Sequence, residues 1–174
     1  MGRYLNTIKA VIFDWGDTVM RDFPEYQGPM AHWPRVEMIK GIDNALDSLH
    51  SKLICCLASN AGDSDAELMG EVLSRVNLHR YFSYLFTSRE LRAKKPDLIF
   101  YQEILRRLEL RPEECVAVGN DYLKDIVPAK SIGMMTIWFS QNAESAVAPA
   151  ADIIIDSMDK LVSVIENLSQ SKSV

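Results

Sequence analysis

The sequence predicts an α/β/α three-layer sandwich on a mostly parallel sheet, and three observations predict it. Short apolar runs rich in β-branched residues recur without alternation, as in strands covered on both faces. Stripes of apolar residues at helical spacing fill the gaps between them. Polar residues able to do chemistry follow four of the runs directly, where open α/β sheets bind their ligands.

The first strand is Ile8 to Phe13, ending at Asp14. Ile42, Ala45, Leu46 and Leu49 then fall on one helix face. Leu53 to Ala58 is the second strand. Ser64 with Glu67 reads as a capping box opening a helix through about Val76. Tyr84 to Thr87 is the third strand, and Leu98, Tyr101, Ile104, Leu105 and Leu108 stripe the next helix. Cys115 to Gly119 is the fourth strand. A short helix from about Asp125 to Ile132 takes Pro128 in its first turn and stops at Gly133. Met134 to Phe139 and Ile153 to Ile155 are the last strands. Asp156 and Ser157 are placed to cap a final helix ending near Leu168. Residues 22–34, with Pro24, Pro29 and Pro34 among Tyr26, His32 and Trp33, read as a long loop near the site, a candidate lid.

The 174 residues, 48% hydrophobic and 25% charged, suit a single domain, 1–174, that buries a core without staples. The net charge is −5 and no basic tract occurs, so nucleic acid is not an expected partner. No apolar run approaches the ~18 residues of a membrane span, so no membrane is expected either. The first ten residues lack a signal-peptide core, and Asn6 spoils a myristoylation pattern at Gly2. Three cysteines, two of them adjacent, suggest neither a disulfide framework nor a zinc site, and a cytoplasmic location fits.

The four strand ends read VIFDWGDT, LASN, KKPD and VGNDYLKDI. They offer the carboxylates of Asp14 and Asp125, the Ser59 hydroxyl beside Asn60, and the Lys95 ammonium. Phosphoryl transfer needs such a set. A carboxylate can attack phosphorus, and a hydroxyl and an ammonium can hold the equatorial oxygens. Carboxylates on facing loops can hold Mg²⁺. Each residue alone has a plainer reading: turn residue for Asp14, turn or capping pair for Ser59 and Asn60, solvated loop lysine for Lys95, N-cap for Asp125. Asp121 and Lys124 read as surface charges, His32 and Trp33 as loop packing, His50 and His79 as surface, and Phe100, Tyr101 and Trp138 as core.

Taken in order, the four motifs resemble those of the haloacid dehalogenase-like hydrolase superfamily, over Ile8 to about Phe139. The resemblance implies a Rossmann-like sheet, Asp14 as nucleophile, and Ser59 and Lys95 as phosphate-binding groups, with Asn60 beside them. It implies Mg²⁺ held by Asp14, the Gly16 carbonyl, Asn120 and Asp125. Two positions depart from the pattern. Gly16 stands where the superfamily's phosphatases place a general-acid aspartate, leaving Asp17, one residue on, as the alternative donor. Asn120 replaces an acid, which weakens Mg²⁺ binding unless Asp121 compensates. The gaps of about 45 residues from Asp14 to Ser59 and about 36 from Ser59 to Lys95 leave no room for a cap domain. An open site expects a large phosphorylated substrate, a covering loop, or a neighbouring subunit in a homo-oligomer. The expected activity is phosphomonoester hydrolysis, on a small molecule or a macromolecule. The alternative is a catalytically weak or inactive binding or regulatory protein. A dehalogenase or phosphonate hydrolase is disfavoured without a cap, and a phosphoacceptor receiver domain by the absence of acids before Ile8.

Overall fold

The computed structural model describes residues 8–141 and 147–170; the Gly2 and Asn6 pattern lies outside them. The elements are β1 (Ala10–Phe13), α1 (Ile42–Leu49), β2 (Ile54–Ser59), α2 (Ala66–Arg75), β3 (Tyr84–Thr87), α3 (Ser88–Leu91), α4 (Leu98–Leu108), β4 (Cys115–Gly119), α5 (Val127–Ser131), β5 (Met135–Phe139), β6 (Ile153–Ile155) and α6 (Leu161–Gln170). The six strands form one parallel sheet in the order β3-β2-β1-β4-β5-β6. The chain runs from β1 to one side and returns past it to the other, so a crevice opens at the strand tails near β1.

Successive strand residues face opposite layers, and the two cores divide accordingly. Val11, Phe13, Cys55, Leu57, Val116 and Val118 pack in one core with α1, α2 and α6. Ala10, Ile12, Cys56, Ala58, Cys115 and Ala117 pack in the other with Phe100, Tyr101 and Ile104 of α4. The alanines on that face leave room for the α4 aromatics, which are fully buried.

Three helix starts differ in detail from expectation. The N-cap of α2 is Asp65, whose carboxylate accepts from Leu68 N at 3.0 Å, and not Ser64. A π-helical turn over Tyr122–Ile126 precedes α5. Its cap is Asp121, which accepts from Leu123 N and Lys124 N at 3.1 and 3.0 Å, so Asp125 is no cap. Ser157 caps a short 3₁₀ turn that leads into α6.

Of residues 22–34, only Asp22 reaches the strand-tail crevice. The others fold into an aromatic lobe in which Tyr26 and Phe23 pack on Trp33. Trp33 Nε1 donates to Gly28 O at 3.1 Å, and Arg75 of α2 donates to the carbonyls of Ala31 and Trp33. Trp33 is buried and His32 exposed, as is His79.

Candidate active site

The parallel register brings the polar residues together. Phe13 pairs with Leu57 on one side and Val118 on the other, so Asp14 emerges between the tails of β2 and β4. Its N–H still donates to Val118 O, at 2.9 Å. Ser59 ends β2, and Asn120 and Asp125 follow β4. With Lys95 they line a cleft of about 400 Å³.

Lys95 is the centre of the charge arrangement. Its side chain is 3% exposed. Its ammonium donates to Asp14 Oδ1 at 2.5 Å, Asp125 Oδ1 at 2.6 Å and Ala58 O at 3.1 Å. An ammonium has three N–H donors, so all are engaged. Burial opposes the charge, but Asp14 and Asp125 outweigh it and hold the lysine protonated far above neutrality. The Phe100 ring lies 5.7 Å from Nζ. Burial keeps the neighbouring Tyr101 phenol protonated.

The two carboxylates differ in access. Asp125 is 2% exposed, and its Oδ2 accepts from Asp121 N at 3.0 Å. Burial pushes its carboxyl above the usual range while Lys95 opposes the shift. Asp14 is 14% exposed, and its Oδ2 remains open to the cleft apart from the Thr18 hydroxyl at 3.3 Å. Asp14 is therefore the carboxylate a substrate can reach. Gly119 makes the Asp125 position available, since a Cβ there would lie 2.4 Å from Asp125 Cβ.

Asn60 has a different place from the one expected. Its Oδ1 accepts from Lys95 N at 2.7 Å, and its Nδ2 donates to Lys95 O at 3.0 Å. Both ends of the amide are taken by one residue's backbone, so Asn60 braces the lysine rather than facing a phosphate. The Ser59 hydroxyl accepts from Ala61 N at 2.9 Å, which leaves its own proton to donate into the cleft.

Thr18 and Trp138 are the groups that sequence reasoning missed. The fully buried Thr18 hydroxyl lies 3.3 Å from both Asp14 Oδ2 and Asn120 Oδ1, bridging the tails of β1 and β4. Trp138 Nε1 donates to Asn120 O at 2.9 Å. Its apolar character made it read as core, and only its indole N–H hinted at a polar partner. Asp121, the acid that could compensate for Asn120, is engaged by the π-turn it caps and by Lys124 at 3.2 Å.

Position 17 has an unusual backbone. Asp17 takes φ +54°, a left-handed conformation that Asp tolerates better than most residues. Its N–H donates to Met20 O at 2.6 Å, and its Oδ1 accepts from Asp22 N at 3.0 Å. The side chain is exposed on the cleft wall. A Cβ on Gly16 would meet only Asp22 Cβ, at 3.9 Å, so the wall at position 16 is open.

The donor set is all oxygen: the Asp14 and Asp125 carboxylates, the Asn120 amide and the Gly16 carbonyl. That chemistry suits a hard divalent cation. Among the described residues no three Asp, Glu, His or Cys side chains cluster for a metal. Two of these four oxygen donors are an amide and a backbone carbonyl.

The fold is an α/β/α sandwich in which four motifs converge on one crevice. A family model described as haloacid dehalogenase-like hydrolase matches residues 5–139, and the chain belongs to that family. It is 35% identical over 102 residues to the glyceraldehyde 3-phosphate phosphatase of Methanocaldococcus jannaschii, a match covering 58% of this chain and 45% of that protein. It is 35% identical over 80 residues to the ribulose-1,5-bisphosphate 5-phosphatase of Halopiger xanaduensis, covering 46% and 34%. The chain thus matches under half the length of these curated relatives. A solved structure from Listeria monocytogenes serotype 4b superposes with a TM-score of 0.80 at 25% identity, covering 94% of this chain and 99% of that one. A phosphatase structure from Thermococcus onnurineus gives 0.74 at 18% identity, covering 91% and 98%. Among the described residues, no helix is long and apolar enough to cross a membrane.

Proposed function

We propose that the protein hydrolyses phosphomonoesters through an aspartyl-phosphate at Asp14, without a cap domain. The observation that carries this reading is the Lys95 bridge. It neutralises one carboxylate's worth of charge, engages Oδ1 of Asp14, and leaves Oδ2, met by the Thr18 hydroxyl, toward the cleft that Ser59 also lines. The phosphatase names of the curated relatives support the same chemistry.

In the first step an oxygen of Asp14 bonds to phosphorus as the ester P–O bond breaks, and the leaving oxygen takes a proton. The Ser59 hydroxyl donates to a phosphoryl oxygen where charge gathers, and the Lys95 ammonium reaches another by giving up one of its three bonds. Asp17 is the proton donor available on the cleft wall. In the second step water attacks phosphorus and gives a proton to the Asp17 carboxylate, the Asp14–phosphorus bond breaks, and phosphate departs with the Asp14 carboxylate and the Asp17 acid regenerated. Asp14, Lys95 and Asp125 together carry one net negative charge, which repels a phosphate dianion. Mg²⁺ held by Asp14, the Gly16 carbonyl, Asn120 and Asp125 would offset that repulsion.

The test is phosphate release from a panel of phosphomonoesters with Mg²⁺, for the parent and Asp14→Asn. Turnover that disappears with Asp14→Asn supports the reading; no Asp14-dependent turnover on any ester overturns it. Gly16 and Asn120 favour a second reading, a regulatory or binding protein with feeble catalysis. Position 16 has room for an aspartate, and general-acid catalysis is typically worth ~10²–10⁴-fold. On the second reading Gly16→Asp raises turnover sharply. If Asp17 already serves as the donor, the gain is small.

A further inference from the structure

A second concavity adjoins the catalytic cleft. It has a volume of about 590 Å³, larger than the cleft itself, and the two share Asp17 and Asn120 as a common wall. It runs over the tails of β4, β5 and β6, toward the strap that carries Arg21 and residues 37–40. Its size is that of pockets that bury most of a drug-sized ligand.

We infer that this groove holds the leaving group of the substrate, and that the group is neutral and rich in hydroxyls, of the size of a sugar or nucleoside. This rests on the phosphatase reading. In an ester the leaving oxygen is bonded to the phosphorus, so the organic part must fill space beside the phosphate site. The groove is that adjoining space, and Asp17 stands on the boundary, where the leaving oxygen needs its proton.

The walls argue for the chemical class. Four carboxylates line the groove, from Asp17, Glu37, Asp156 and Asp159, against the two cations Arg21 and Lys40. Glu37 is paired with Arg35 and, at 3.2 Å, with Arg21, and Asp156 with Lys160 at 2.7 Å, which leaves Asp17 and Asp159 as the lining carboxylates without a cation among the described residues. Among the described residues Lys40 has no carboxylate within the 4.0 Å of an ion pair. A second phosphate would thus meet an acidic surplus and a single unpaired ammonium, a poor exchange for its hydration. Hydroxyls fit better. Ser140 and Gln141 both donate and accept, and carboxylates accept from sugar hydroxyls. Phe139, largely buried, contributes an apolar patch for a ring face.

The experiment compares kcat/KM for methyl phosphate, ribose 5-phosphate, cytidine 5′-monophosphate, ribulose 1,5-bisphosphate and a phosphotyrosine peptide. It uses the parent, Gln141→Trp and Lys40→Trp, which fill the groove from opposite walls. The parent is expected to prefer the better of the two neutral-alcohol esters to methyl phosphate by at least tenfold. Each filling variant should cut that preference about tenfold, chiefly through KM. A preference unmoved by either variant, or a parent that favours the bisphosphate or the peptide, overturns the assignment. If none of the esters is hydrolysed, the phosphatase reading fails separately. Titrating Asp14→Asn with ribose 5-phosphate and with cytidine 5′-monophosphate, followed by amide NMR, then decides the groove. Shifts at Ser140 and Ser157 sustain it, and their absence overturns it.

Discussion

Lys95 shows what one residue can hold together. Among the described residues it alone donates to both Asp14 and Asp125, and removing one partner of a buried ion pair costs ~3–5 kcal/mol, because the other is left uncompensated. Lys95→Met is therefore expected to lose several kcal/mol in urea unfolding and nearly all turnover. Adding Asp125→Asn to it should recover part of the stability and none of the activity. If the double variant is less stable than Lys95→Met alone, the triad is not the electrostatic unit described. Asn60 acts through this lysine. Its bonds cross 35 residues of sequence between two loops, a pairing that no local pattern announces. Asp14 and Ser59 were legible because they stand at strand ends, Lys95 because it precedes a proline, and Asp125 because it falls in the acidic motif that follows β4. Asn60, Thr18 and Trp138 were misjudged or missed because their partners depend on how separate loops meet.

At the scale of elements, capping decides two questions of register. Asp65 rather than Ser64 reaches the first turn of α2, so Asp65→Ala should cost ~1 kcal/mol and Ser64→Ala much less, by thermal or urea unfolding. Equal losses would return the cap to Ser64. Sequence placed the α2 helix correctly because its apolar stripe is strong; it misplaced the cap because adjacent Ser and Asp are both good cap residues. The π-turn after β4 follows the same logic. With Asp121 as cap, the Asp125 carboxylate turns inward to Lys95, and Gly119 lets it approach. Gly119→Ala is expected to push Asp125 outward, lowering both turnover and the urea midpoint. Wild-type activity in that variant would show that the approach has no importance.

Across the whole molecule, the parallel sheet was the most readable feature. Continuous apolar strands separated by helices permit few other architectures, and all six strands fell close to their expected positions. The 22–34 segment was less readable: its prolines and aromatics announce a loop but not that Arg75 pins it against α2. The opposite end of the sheet carries its own electrostatic clamp. Glu114 accepts from Lys9 Nζ at 2.8 Å and from Arg111 N at 2.9 Å, tying the starts of β1 and β4. Lys9, then the Arg111 N–H and guanidinium, hold its carboxyl down at about 2. A lowered carboxyl contributes stability above its ordinary range near 4.5 that is lost as pH falls toward 2. Glu114→Gln should therefore flatten part of the acid decline in urea midpoint across that window; parallel declines for both proteins would refute the clamp.

The neighbouring thiols of β2 have a practical consequence. Cys55 and Cys56 point into opposite cores, Cys115 shares the second, and burial lifts Cys55 and Cys115 to about 12. Alternation keeps the vicinal pair from a facile bridge and makes each a reporter on its own side. A thiol-reactive reagent, read residue by residue in mild denaturant, would tell which helical layer peels away first.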